Sequence, residues 1–337
     1  MNVRGRIAAL LEVLGVYVAG QFLITLLIPV LGLKITNPLQ NITTAEISDA
    51  ELLAATRHFF LLLVAQYAGW FLLIIPINWW HRRRGFAAYG LTRAGRSWQT
   101  LLLAGVGAAA LVGWPAVGVN LVDTVYDLGP TVPWRQALFD TSWRRWEFWL
   151  FMAVASYAFI PFVEEWFYRG YVQRRLAEDW GDGPAIVGTS LLFVFAHGQY
   201  LMLNAYNISL IVGLLMLAVG FGVVFAWTRS LIPVMVGHAI INMPMTPFWQ
   251  CVILAASLVG AVIVARRAAV VVKDVFSRAS VMACVVLGIA GIAWAIVSQR
   301  IDAVKYLAVI MVVVAVGLHV IERRRLLTCA RRDMLAS

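Results

Sequence analysis

Charge is scarce in this 337-residue chain. Asp, Glu, Lys and Arg make up 13% of it, about half the share of an ordinary soluble domain. Lysine is nearly absent, at three residues against 24 arginines. Cysteine is limited to Cys251, Cys284 and Cys329, too few and odd in number for a disulfide framework. There is no internal repeat and no low-complexity linker. The first apolar run is too long for the core of a secretory signal and has no small-residue cleavage site after it, so no cleavable signal is expected. These shortages exclude a water-soluble enzyme. A disordered chain is excluded as well, because it needs low hydrophobicity and 62% of the residues here are apolar.

What the chain has in abundance is long apolar runs. A bilayer core of about 30 Å takes roughly 20 apolar residues per helix. Ten runs meet that need, near 7–33, 58–80, 98–122, 147–165, 184–204, 206–228, 231–245, 248–265, 279–298 and 303–321. The fold class expected is all-α, a polytopic transmembrane bundle of about 8–10 spans. Trp79, Trp80, Trp98, Trp143, Trp146 and Trp149 fall at span ends, where an aromatic belt sits.

The net charge of +10 then reads as topology, and no nucleic-acid partner is expected. With the N-terminus in the cytoplasm, 20 of the 27 Lys and Arg residues fall in inside segments, among them Arg82–Arg84, Arg169, Arg174, Arg175 and Arg323–Arg325. Seven fall outside: Lys34, Arg57, Arg135, Arg144, Arg145, Arg300 and Lys305. That asymmetry predicts both termini in the cytoplasm.

Polar side chains inside a membrane are costly and point to function by default. Three clusters stand out: Glu164-Glu165-Trp166-Phe167-Tyr168-Arg169, Phe193 through His197, and His238 through Asn242. On a helix, residues four apart share a face, so Glu165 and Arg169 can pair. Glu164 is five residues from Arg169, about 140° away around the helix, and is less neutralised by it. A carboxylate left free in a low-dielectric site suits a general base. Taken alone, the cluster also fits an ion-paired helix end. His197 taken alone reads as a histidine bonded to a neighbouring helix, with Phe193 packing on the same face. His238 and Asn242 share one stripe, as a base, a ligand, a pair of oxyanion donors or a polar contact between helices. Glu12, in the first span, reads as structural, and His319 sits near a span end where it can reach water.

Together the three clusters resemble the CAAX-protease and bacteriocin-processing family, the glutamic intramembrane endopeptidases related to the type 2 prenyl proteases. The pattern is Glu-Glu-x-x-x-Arg, then Phe-x-x-x-His, then His-x-x-x-Asn. It falls here on Glu164/Glu165/Arg169, Phe193/His197 and His238/Asn242. Gly220-Phe221-Gly222 through Arg229-Ser230-Leu231-Ile232-Pro233 is similar to the family's approach to its last motif, and Tyr89-Gly90-Leu91-Thr92-Arg93 is similar to an upstream element. The resemblance covers about 145–245 and, more loosely, the first 145 residues. It implies that Glu164 activates a water for peptide hydrolysis and that His197 helps to hold that water. It also implies that His238 and Asn242 stabilise the oxyanion, while Glu165 and Arg169 orient the site. The implied organisation is 1–145 as N-terminal helices and loops, 146–250 as the catalytic core and 251–337 as further helices with a basic tail.

The implied substrate is a hydrophobic peptide or a membrane-anchored protein, met in the lipid bilayer. The arginine bias suggests a GC-rich genome and a bacterial inner membrane, which disfavours a prenylated substrate. No cofactor is expected. A divalent metal on the same two Glu, two His and Asn is the first rival, although His-Glu-x-x-His is absent and no Cys lies near the motifs. No Gly-x-Ser-Gly nucleophile lies in a span, and Tyr126-Asp127 has no Gly-x-Gly-Asp partner. A non-catalytic transporter or scaffold with a buried polar site is the other class of reading.

One mismatch emerges from straight-helix counting. Glu164 falls near the cytoplasmic end of its span, His197 about 21 Å into the next and His238 about 12 Å deep. For these to meet, the fifth span must start later or tilt, or the fourth must run on past Arg169. A water-filled cavity open to the cytoplasm is expected.

Overall fold

The computed structural model describes residues 3–33, 48–81, 85–126, 153–197 and 205–243, with a few isolated positions beside them. Apart from isolated positions, the spans expected at 248–265, 279–298 and 303–321 and the C-terminal unit 251–337 lie outside the described residues. So does most of the two polar outside loops expected at about 34–57 and 123–146, although 49–57 and 123–126 are helical and not loop. Every regular element among the described residues is helical. That follows from composition, since a backbone in lipid must satisfy its own hydrogen bonds and a helix does so within one segment.

We number the helices α1 (Val3–Val30), α2 (Asp49–Trp80), α3 (Trp98–Tyr126), α4 (continuous over 153–180), α5 (Asp182–Ala196), α6 (Ala205–Thr228) and α7 (Ile232–Asn242). Among the described residues, 5–30 in α1, 49–80 in α2 and 205–228 in α6 are long and apolar enough to cross a bilayer. Local chemistry sets several boundaries. Ser48 and Glu51 form a reciprocal capping box at the start of α2. Pro233 occupies the first turn of α7, where its missing N–H leaves no bond unmade.

Helix α4 departs from the sequence expectation. The fourth run was expected to end at 165, with Arg169, Arg174 and Arg175 in a cytoplasmic loop. Instead the backbone stays helical through Trp166 and on to Trp180. Its turns widen to i→i+5 bonding over Ala153–Phe159 and again over Trp166–Gln173. Such π-helical turns are rare and are frequently found at functional sites. The chain reverses at Gly181, whose φ of +83° is open to glycine and strained for other residues. Helix α5 then returns along α4. Arg169 and Phe193 are equally far from this corner in sequence, and so are Glu165 and His197. The depth mismatch is resolved because α4 runs on past Arg169.

A ring of side chains holds the corner. Arg229, itself at φ +55°, forks onto Asp182 with contacts of 3.1 and 2.7 Å, which ties the α6–α7 turn to the start of α5. The Leu231 N–H donates to Gly90 O at 2.8 Å. On the other side, α1 binds the end of α4. Glu12 accepts from Arg175 Nε at 2.9 Å and from the Tyr171 hydroxyl at 3.1 Å, and it pairs with His81 at 3.0 Å. Arg6 Nε donates to Asp179 O at 2.9 Å, and Trp180 Nε1 returns a bond to Arg6 O at 3.0 Å. Glu12 is thus the structural acceptor its sequence context suggests.

The apolar core between α1, α2 and α4 centres on Trp70, which is wholly buried. Its ring lies flat on Phe167, with centroids 4.2 Å apart and planes 9° apart. Its Nε1–H donates to Tyr17 O at 3.2 Å. This close approach needs a glycine on α1, because a Cβ on Gly20 would stand 1.9 Å from Trp70 Cδ1. Gly20→Val should therefore lower stability by about 1–3 kcal/mol through overpacking. Gly15→Ala, which meets nothing within 4 Å, should stay within about 0.5 kcal/mol of the native chain. Thermal unfolding in detergent reads both, and equal melting temperatures for the two variants would refute the packing account.

Candidate active site

The site is built around the middle of α4, between its two wide turns. Glu164 and Glu165 are adjacent yet face different environments. Glu165 is completely buried, and so is Arg169. Arg169 Nη1 donates to Glu165 Oε1 at 3.1 Å, as the four-residue spacing predicts. Nη2 donates to Ala218 O on α6 at 3.1 Å. The guanidinium carbon lies 4.9 Å from the centre of the Phe193 ring and 5.7 Å from that of Phe221, within cation–π range. Arg169 is therefore an interior cation and not one of the loop arginines that the topology count assumed.

His238, from α7, completes the pairing of Glu165. Its Nδ1 sits 2.7 Å from Glu165 Oε1, the same oxygen that Arg169 uses. Its other nitrogen, Nε2, faces Glu164 Oε2 at 3.8 Å, too long for a hydrogen bond. The ring is held between Phe193 and Phe221, at centroid distances of 6.3 and 5.9 Å. Phe193 touches Arg169, Tyr168, His238 and His197. The residue expected as plain packing is the spacer shared by all three motifs.

Glu164 is 7% exposed. Its Oε1 accepts from the hydroxyl of Tyr67 on α2 at 2.5 Å. Its Oε2 accepts no hydrogen bond among the described residues. Glu164 is thus not free, as its angle from Arg169 suggested, but its partner is neutral. Tyr67 was missed in the sequence. It is 97 residues upstream, in an apolar run where a tyrosine attracts no notice. The only sequence signal for it is its place beside Gln66, as a polar pair within that run.

The remaining motif residues lie further out. His197 caps the end of α5. Its Nδ1 is 2.8 Å from Phe193 O, and its ring is parallel to Tyr200 at 6.3 Å. Among the described residues it makes no hydrogen bond to Glu164 or His238, and Phe193 lies against both histidines. Asn242 Nδ2 donates to Ser156 O in the first wide turn of α4 at 2.9 Å. His238 and Asn242 therefore both reach α4, at positions two turns apart. The structure brings Glu164, Glu165, Arg169 and His238 into one cluster, with His197 and Asn242 flanking it. Among the described residues, no three His, Cys, Asp or Glu side chains are grouped to hold a metal ion, and Glu165 Oε1 is shared between Arg169 and His238.

A buried pair broken on one side leaves an uncompensated charge, at a cost of about 3–5 kcal/mol. Arg169→Met should therefore lower the melting temperature sharply. Adding Glu165→Gln to it should recover part of the loss, because the stranded carboxylate is then gone. A double variant no more stable than the single one would show that Arg169 acts through something other than this pair.

Comparison with known proteins follows the same segment of chain. Residues 145–244 match the family model described as Type II CAAX prenyl endopeptidase Rce1-like. All seven motif residues lie inside that match, while Tyr67 lies outside it. No curated protein and no solved structure matches the chain. With that segment set among apolar helices long enough to cross a bilayer, this is an integral membrane protein whose residues 145–244 are similar to the peptidase domain of the CAAX-protease family.

Proposed function

We propose that this protein is an intramembrane endopeptidase in which Glu164 activates a water against a peptide bond. The observation that carries the reading is the unequal treatment of two adjacent carboxylates. Each keeps its Oε2 without a hydrogen bond among the described residues, but Glu165 has a buried cation and a histidine on its other oxygen. Glu164 has a neutral tyrosine hydroxyl there, and its unbonded oxygen lies opposite His238 Nε2.

In the proposed reaction, Glu164 Oε2 takes a proton from water as the water oxygen bonds to the peptide carbonyl carbon. The carbonyl electron pair moves onto its oxygen. Collapse of the tetrahedral adduct breaks the C–N bond, and the proton held on Glu164 passes to the leaving amine. His238, oriented by Glu165, and Asn242, which keeps a second N–H beside the one given to Ser156, act as donors to the oxyanion. His197 helps to place the water. Glu165 and Arg169 hold His238 and set the geometry. A positioned base contributes about 10²–10⁴-fold, and an oxyanion donor about 10²–10³-fold.

The substrate proposed is a hydrophobic or membrane-anchored peptide tail. The arginine-rich composition fits a bacterial inner membrane and an unprenylated tail, while the matched family's description names a prenyl substrate. The reaction is proposed to need no metal.

Glu164→Gln should abolish processing, by at least about 100-fold, in a protein that still folds, and His238→Ala should do the same. The check is the membrane proteome of cells carrying wild type or Glu164→Gln, together with cleavage of two quenched fluorescent peptides by purified protein. One peptide is hydrophobic and unmodified, and the other is farnesylated on a C-terminal Cys-aliphatic-aliphatic-x tail. Full activity in Glu164→Gln and His238→Ala would end the peptidase reading in favour of a binding or transport role. Stoichiometric zinc with chelator-sensitive cleavage would replace the metal-free mechanism by a metal-dependent one.

A further inference from the structure

Tyr67 lies outside the segment that carries the family motifs, yet it makes the one hydrogen bond that Glu164 accepts among the described residues. Its position is fixed from several sides. The ring stands edge-on to Trp70 at 5.3 Å and to Phe159 at 6.3 Å. Trp70 is itself locked by its stack on Phe167 and its bond to Tyr17 O. A hydroxyl held this way cannot follow a wandering carboxylate, so the carboxylate is held by the hydroxyl.

Two consequences follow for Glu164. One oxygen is occupied, which leaves Oε2, the atom opposite His238 Nε2, as the oxygen free to take a proton. The donor is also neutral. Arg169 compensates the charge of Glu165, whereas a tyrosine hydroxyl orients Glu164 without cancelling its charge. The neighbouring carboxylates are thus separated into a structural one and a reactive one by the kind of donor each receives.

We propose that Tyr67 is the positioning residue of the catalytic base, which fixes Glu164 with Oε2 turned to the reacting water. The proposal rests on the reading of Glu164 as that base. It assigns α2 a part in the reaction that no motif in 145–244 indicates.

The test uses full-length Tyr67→Phe in detergent, with whichever of the two peptides the wild type cleaves. Per folded molecule, kcat should fall roughly 10-fold or more, the worth of a hydrogen bond to a charged group, while KM stays within about twofold. A purely structural tyrosine would instead lower the melting temperature and leave kcat per folded molecule unchanged. Wild-type kcat in Tyr67→Phe, with cleavage lost in Glu164→Gln, overturns the proposal and leaves the peptidase reading standing. Retained cleavage in Glu164→Gln overturns the peptidase reading itself. A substrate-free measurement decides whether the contact exists. In a cycle of Tyr67→Phe, Glu164→Ala and the double variant, the two losses in melting temperature should be less than additive. Additive losses would overturn the proposal even if the wild type cleaves neither peptide.

Discussion

An arginine sealed from solvent inside a membrane protein must have its charge compensated by close partners, and the fold is arranged around that demand. Arg169 has one nitrogen on Glu165, another on a carbonyl of α6, and aromatic rings from α5 and α6 near its guanidinium carbon. Three helices other than its own are thereby drawn to one point, because His238 of α7 joins through the same carboxylate oxygen. Removing any one of these contacts leaves charge in a place where water cannot replace it. Helix packing in lipid gains little from the hydrophobic effect and relies on close fit and polar contacts, which gives such a centre more weight here than in a soluble bundle.

Apolar packing places a second, separate constraint on α1, α2 and α4. Trp70 fills the space between them and needs Gly20 to do so. The two arrangements meet at Glu164, where α2 delivers the Tyr67 hydroxyl. One carboxylate is therefore presented to the site by the aromatic core, and its neighbour by the ionic centre.

The local parts of this arrangement were legible in the sequence. The pairing of Glu165 with Arg169 follows from spacing alone, and so does the separate direction of Glu164. The three motifs were recognisable because their polar residues stand out in apolar runs. The reach of α4 was not legible. A stretch carrying Arg169, Arg174 and Arg175 reads as a basic loop when each charge is counted as exposed. Only partners distant in sequence, Glu12 for Arg175 and the rings of Phe193 and Phe221 for Arg169, show these charges to be internal. The same holds for Tyr67, whose role depends on a contact 97 residues away. Spacing within a helix is written in the sequence, whereas the register between helices is written in packing.

The reversal at Gly181 turns α4 and α5 into a gauge with two equal arms. Arg169 meets Phe193 because each is twelve residues from the corner. Adding one residue to either arm would slide its far half by about 1.5 Å and turn it by about 100°, enough to carry Glu165 away from His238. Between 170 and 192 the number of residues is thus constrained alongside the chemistry of the corner contacts. Length in that stretch is itself a part of the site.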